Sequence, residues 1–219
     1  MSEPPSLPRL GDLAPDFIAA STHSHELKFS EWQGDSWVVF FSHPADFTPV
    51  CTTELAEFAR RAGDFSAVGV KLIGLSVDSI HSHIAWLQNM KEKLGIDLPY
   101  PVVADLDTKV SQKYGMIHPG ASTTATVRAV FVIDPKRVIR ALVYYPVNVG
   151  RSVDEVLRLV RALQTADKHA CALPENWKPG DRVIVPPPRV MQDVEGRLSH
   201  PAHDARDFYL VYKDLPGGG

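Results

Sequence analysis

Cysteine is nearly absent: the 219 residues hold two, Cys51 and Cys171. Two thiols cannot build the disulfide framework of a small secreted domain, and they are too few for a cysteine-rich zinc site. An excess of charge is missing as well. The 23 basic and 26 acidic side chains leave a net charge of -3 with no concentrated Lys/Arg stripe, so the electrostatic footprint of a nucleic-acid binder is excluded. No apolar run approaches the roughly 20 residues of a membrane-spanning helix; the longest β-like runs are WVVFF and AVFVI. The opening residues, MSEPPSLPRLGD, carry acid and proline where a secretory leader needs an apolar stretch. The expectation is a cytoplasmic protein without nucleic-acid or membrane partners.

Histidine is more plentiful, with nine residues and two H-S-H triplets, at 23–25 and 81–83. On a helix, residues two apart point to different faces, so His81 and His83 are poor joint ligands. On a strand, His23 and His25 share a face but have no third ligand near them in sequence. No metal and no cofactor are expected.

Strand and helix signals alternate along the chain. GDLAPDFIAAS and HELKFSEW read as two short extended segments joined by a polar turn, and SWVVFFS (36–42) as a buried strand. A loop and a helix reaching about Gly63 come next, then a second core strand at 69–78. The helix after it has Ser79 as N-cap and Gly95 as terminator, with Ile80, Ile84, Leu87 and Leu94 near one face. YPVVAD is a short strand, TKVSQKYG a short helix, and RAVFVIDPKRVIRALVYYP a hairpin turning at Pro135. SVDEVLRLVRALQTAD closes the domain as an amphipathic helix with a capping box, Ser152 to Glu155. The order argues for an α/β domain with a mixed sheet. Beyond about residue 166 the chain turns proline-rich and aperiodic and ends in glycines, a tail too small to hold a core of its own.

Cys51 occupies a distinctive place, at the start of the helix through Glu54, Leu55 and Phe58, directly after an apolar strand. Unpaired N–H groups and the helix dipole favour an anion there, hence a thiolate. Thr48 lies within local reach of the sulfur, Pro44 and Pro49 stiffen the loop, and Phe41, Phe47 and Val50 are placed to wall it from water. Such a thiolate needs a fixed cation. The plainer alternative is a small core cysteine between prolines that merely end a strand.

The loop PADFTPVC has the form P-x-x-x-T-x-x-C and, between FFSHP and TTEL, closely resembles the active-site signature of the peroxiredoxins. GDLAPDF, TVRAVFVID and YPVNVGRSVDEVLRLVRALQ resemble further segments of that family, and ADKHACALPENWKPGDRVIVPPP resembles the C-terminal extension of its one-cysteine and archaeal-type subfamily. The resemblance implies a thioredoxin-like peroxidase domain over residues 1–165 and a dimer-forming arm over 166–219. It implies a thiol peroxidase acting on hydrogen peroxide and small organic hydroperoxides through a cysteine sulfenic acid. By matching position, Cys51 is the peroxidatic cysteine, Pro44 shields it, Thr48 hydrogen-bonds the peroxide and Arg128 supplies the cation. His43, Glu54 and Arg151 match supporting positions. An external thiol is the expected reductant. Cys171 is the sole internal candidate for a resolving thiol, outside the positions where the family would place one. The family also implies homodimers, often assembled into decamers.

Some one-cysteine relatives carry a lipase serine in G-x-S-x-G; here GDSWV keeps Ser36 but has Val38 for the last glycine and Ser30 where a histidine is expected, so lipase activity is not assigned. Two other readings compete with the peroxidase. One is a chaperone-like or binding assembly that uses the fold without turnover. The other is a thiol–disulfide oxidoreductase, which lacks its C-x-x-C pair because Thr53 and Glu54 stand beyond Cys51.

Overall fold

Seven strands build one mixed sheet, and the order in which they lie explains where Cys51 ends up. The computed structural model describes residues 7–215; the first six residues of the acidic, proline-bearing start and the glycine tail fall outside them. β1 (Ile18–Ser21) and β2 (Ser24–Lys28) form an antiparallel pair, followed by the short helix α1 (Phe29–Gln33). β3 (Trp37–Ser42) leads through the cysteine loop into α2 (Pro49–Arg60) and α3 (Ala62–Ser66). β4 (Val70–Ser76), α4 (Ile80–Leu94), β5 (Val102–Ala104) and α5 (Lys109–Lys113) follow, then the hairpin β6 (Arg128–Ile133) and β7 (Ile139–Tyr145). The sheet runs β2-β1-β5-β4-β3-β6-β7, with β3, β4 and β5 parallel and the other pairings antiparallel. β3 is thus central, between β4 and β6, which suits a run of Val and Phe buried on both faces.

On one face of this sheet Phe17, Phe29, Phe40, Tyr114 and Phe131 interlock; the Phe40 and Tyr114 rings meet edge to face at 4.8 Å. On the other, Phe41 stacks on Phe58 of α2 at 4.2 Å between ring centres, which fixes the helix that carries Cys51 against the strand that precedes it. The turn between β6 and β7 is built by Asp134, whose Oδ1 accepts from Lys136 N and Val138 N at 2.9 Å each.

Two elements differ from expectation. The second half of HELKFSEW coils into α1 because Phe29 and Gln33, one turn apart, are both buried, and the Asp16 carboxylate accepts from Ser30 N and Oγ at 2.9 and 2.7 Å. On α4 the buried face is His83, Trp86 and Met90, at i, i+3 and i+7. Ile84 and Leu94 are exposed, and Ile80 and Leu87 are only half-buried. An aromatic and a methionine outcompeted the aliphatic stripe, and a histidine came inside with them.

The chain divides into two compact units between Val153 and Asp154. The division falls at the start of α6 (Val153–His169), whereas the change in composition predicts a boundary near residue 165. The reason lies in the second unit's own packing: Ala162 of α6 joins Cys171, Trp177 and Val183 in a small apolar cluster, with Leu173 and Leu215 against it. β8 (Val183–Ile184), β10 (Leu210–Lys213) and β9 (Asp204–Asp207) form a three-stranded sheet there, with α7 (Asp193–Ser199) between β8 and β9 in sequence. The tail therefore has a small core, contrary to the expectation from its length, and α6 lends Ala162 to it. Among the described residues no helix is long and apolar enough to cross a membrane.

The caps of α4 give a direct test of this local structure. Ser79 Oγ accepts from Ser82 N at 3.2 Å, and Gly95 sits in the left-handed region at φ 66°. Ser79→Ala and Gly95→Ala should each cost about 1 kcal/mol, which lowers the melting temperature by roughly 2–4 °C in a chain of this size. Calorimetry on both variants checks it; unchanged melting would remove these residues as caps.

Candidate active site

The site begins where β3 runs out. Ser42 ends the strand, His43 and Pro44 are buried, and Thr48 in extended conformation turns the chain into α2. Pro49 at the first helical position gives up only an N–H that the helix could not use, and its fixed φ suits the turn. Cys51 follows in the first turn and is wholly buried. Thr48 does not cap the helix: its hydroxyl donates to Ala45 O at 2.9 Å, which leaves the oxygen's lone pairs as acceptors. Phe47 departs from its expected place as a wall, being more than half exposed with φ 54°.

Glu54 stands three residues after Cys51, on the same helix face and equally buried. Two arginines from elsewhere in the fold meet it. Arg128, the first residue of β6, donates from Nη1 to Cys51 Sγ at 3.3 Å and to Glu54 Oε2 at 2.5 Å. Its Nε and Nη2 both donate to Val147 O, at 3.0 and 2.7 Å, so the loop after β7 holds the guanidinium plane. Arg151 donates to Glu54 from its backbone N, Nε and Nη2 at 2.7–2.9 Å. Its Nη1 reaches the carbonyls of Ser42 and Ala129 at 2.8 and 2.9 Å, and its guanidinium lies over the rings of Phe41 and Phe58. Burial pushes the Glu54 carboxyl up, but the hydrogen bonds and charge of Arg151, with Arg128 behind them, hold it below its ordinary value. Two cations around one carboxylate leave a positive charge unbalanced beside the sulfur. An anion there completes the set.

A second buried cluster adjoins the first through His43. Asp46 Oδ1 faces His43 Nε2 at 2.9 Å, and its Oδ2 faces His83 Nδ1 at 2.7 Å. These three side chains form a metal-ligand set by composition. Their spacing is that of hydrogen bonds, however: donors about 2.1 Å from one tetrahedral zinc lie roughly 3.4 Å apart. Asp46 and His83 went unrecognised in the sequence. The available signal was Asp46 three residues after His43, and a histidine at the i, i+3, i+7 spacing of Trp86 and Met90. Cys171 lies apart from this chemistry, in the apolar cluster of the C-terminal unit, where burial pushes its thiol up. The structure thus brings Cys51, Arg128, Glu54, Arg151 and the loop residues His43, Pro44 and Thr48 into one region, while Cys171 belongs to the other unit.

Known proteins resemble this chain along nearly its whole length. Residues 10–142 match the model of the AhpC/TSA family, and residues 162–198 that of the C-terminal domain of 1-Cys peroxiredoxin. A peroxiredoxin of Aquifex aeolicus is 51% identical over 96% of this chain and 98% of its own length. Peroxiredoxin 2 of Caldanaerobacter subterraneus is 46% identical over 95% of this chain and 94% of its own. Among solved structures, a yeast mitochondrial 1-Cys peroxiredoxin superposes with a TM-score of 0.85 at 41% identity, over 94% of this chain and 99% of that one. A cysteine-to-serine mutant of peroxiredoxin 6 from Arenicola marina gives 0.85 at 39% identity, over 95% and 99%.

Glu54 and Arg128 carry separable predictions. Glu54→Gln leaves two buried guanidinium groups facing a neutral amide and should destabilise the fold by about 3–5 kcal/mol. The native carboxyl is held below its ordinary 4.5, so its contribution is complete above that pH and is lost as pH falls through the depressed value. Urea unfolding between about pH 3 and 7 should show a shallower acid limb in Glu54→Gln than in the native chain, the remainder coming from carboxylates such as Asp46 that are also held low. Arg128→Ala should slow reaction with peroxide at least about tenfold, and Arg128→Lys should recover little because a point charge cannot serve sulfur, carboxylate and carbonyl at once. Stopped-flow kinetics decide it: an unchanged rate in either variant removes the guanidinium from the chemistry.

Proposed function

The chain belongs to the peroxiredoxins, the thiol-dependent peroxidases of the AhpC/TSA family, and from that premise we propose that Cys51 is its peroxidatic thiol. The observation that carries this reading is the contact of Arg128 Nη1 with Cys51 Sγ at 3.3 Å, in the first turn of α2 on its buried face. Its substrates on this reading are hydrogen peroxide and small organic hydroperoxides, in keeping with a thiol that is fully buried.

The Cys51 thiolate attacks the terminal oxygen of the peroxide in line with the O–O bond. The S–O bond forms, the O–O bond breaks, and the electron pair leaves with the distal oxygen, which takes a proton to become water or an alcohol. Arg128 stabilises the charge on that oxygen as it develops. Its second Nη2 N–H, which meets no acceptor among the described residues, is the donor for it. Thr48 Oγ1, with its own proton committed to Ala45 O, accepts from the peroxide hydroxyl. Pro44 contributes an apolar wall without an N–H to satisfy. Glu54 and Arg151 hold Arg128 in place from behind.

The product at Cys51 is a sulfenic acid. An external thiol reduces it by attack at sulfur, releasing water and leaving a mixed disulfide, and a second thiol then restores Cys51. The yeast relative resolves its cysteine through glutathione and thioredoxin systems, and we take a small thiol or a dithiol protein of that class as the reductant here. Cys171, with its thiol pushed up by burial, is a poor nucleophile. Two unpaired cysteines suit a reducing compartment such as the cytoplasm. The segment from about residue 166 is read as an arm that exchanges between subunits of a dimer, since Leu198, Phe208 and Tyr209 in it are exposed apolar surface.

Steady-state peroxide reduction with a small thiol tests the assignment. Cys51→Ser should be inactive and Cys171→Ser should keep most activity; equal loss in both would make Cys171 a resolving residue and defeat the external-thiol scheme. Light scattering on a chain truncated at residue 166 should show a smaller assembly than the full chain. A soluble truncated protein of unchanged assembly size would defeat the exchanged arm.

A further inference from the structure

Resting on the assignment of Cys51, the inference starts from a buried group that the mechanism leaves unused: His83, on α4, 32 residues from the catalytic cysteine in sequence and fully inaccessible. Its two ring nitrogens both face oxygen. Nδ1 lies 2.7 Å from Asp46 Oδ2, and Nε2 lies 3.1 Å from the backbone carbonyl of Val103 on β5. A carbonyl accepts only, and Asp46 faces two imidazoles, so each of these contacts asks for an N–H on His83. A neutral imidazole has one.

His43 presents the opposite pattern. Its Nε2 faces the other oxygen of Asp46 at 2.9 Å, while its Nδ1 is buried and has no partner. A proton on Nδ1 would be an unmet donor on a buried cation, which costs several kcal/mol. Of the two rings on one carboxylate, only His83 has acceptors for two protons. Burial also lowers the His43 pKa, with the neighbouring His83 acting in the same direction and Asp46 and Asp78 opposing it. Asp46 itself is pushed up by burial and pulled down more strongly by its two histidines, so it stays ionised. Asp78, the other carboxylate here, is occupied by Asp46 N at 3.0 Å and Ser76 Oγ at 2.6 Å, which anchors the Asp46 backbone.

We propose that His83 is a positioning residue of the peroxide site: as a buried imidazolium between Asp46 and the Val103 carbonyl, it holds Asp46 ionised and thereby locks His43 in the tautomer with its proton on Nε2. His43 then offers a lone pair at Nδ1, and no N–H, within the loop that carries Pro44 and Thr48. The consequence is electrostatic as well as geometric. Were His43 free to take the second proton, a further cation would join Arg128 and Arg151 and draw Cys51 or its product into competing contacts. With His83 carrying the charge, the compensating carboxylate stands between the cation and His43, and His43 stays neutral.

The test reads the rings directly. In the reduced full chain labelled with nitrogen-15, long-range proton–nitrogen correlation spectra should show both nitrogens of His83 protonated and only Nε2 of His43 protonated. A neutral His83, or a proton on His43 Nδ1, overturns the proposal without any variant. His83→Gln should then mix the two tautomers of His43 and lower kcat/KM for peroxide about tenfold, the scale of one lost charge-assisted hydrogen bond. His81→Gln, an exposed neighbour on the same helix, should leave both readouts unchanged. A mixed tautomer with an unchanged rate, or a slower rate with the tautomer intact, would each contradict the proposal. Because the spectra need no turnover, they stand apart from the Cys51 assignment: an active Cys51→Ser would sink that assignment whatever the rings show.

Discussion

Everything about this site depends on one buried carboxylate held by two guanidinium groups. Glu54 pairs with both Arg128 and Arg151, from different parts of the chain, and both arginines are nearly inaccessible. Neither cation could be buried at that depth without a partner. One carboxylate cannot neutralise both, and the remaining positive charge is aimed at Cys51 Sγ through Arg128. Helix α2, strand β6 and the loop after β7 are tied at this one point. A rigid charge arrangement that exists before any substrate arrives is what a reaction with a departing oxyanion needs, since no reorganisation is then required during the step.

The fold serves that arrangement. Strand β3 lies inside the sheet, and the loop that follows it sits at the carboxyl ends of the parallel strands, where an α/β topology places its reactive groups. The Phe41–Phe58 stack fixes α2 laterally, and the same two rings lie under the Arg151 guanidinium. Packing and charge therefore share residues: the face that positions the helix also positions the cation. Behind the loop, Asp46 repeats the pattern on a smaller scale, with one carboxylate and two imidazoles.

Much of this was legible in the sequence. The β3 run, the P-x-x-x-T-x-x-C loop and the caps of α4 are local signals, each decided by neighbours a few residues away. The family resemblance supplied Arg128, Glu54 and Arg151, whose meeting is non-local. What composition and spacing could not reveal were features set by tertiary packing. The inward face of α4 followed Trp86 and Met90 instead of the aliphatic stripe, which brought His83 to Asp46 across 37 residues. The C-terminal segment has a small core to which α6 lends Ala162, a contribution that the aperiodic tail sequence does not advertise. Thr48 sits at the N-cap position but spends its proton on Ala45, and that choice depends on the loop's path.

The central claim is that a single thiol, Cys51, meets the peroxide and stops at the sulfenic acid until an outside thiol arrives. Its most direct test is a stoichiometric oxidation of the fully reduced chain without added reductant. One equivalent of hydrogen peroxide should be consumed per chain with loss of one of the two free thiols, and mass analysis of a trapped sulfenic acid should place the oxygen on Cys51. Loss of both thiols with an intramolecular disulfide, or peroxide left unconsumed, would contradict the account.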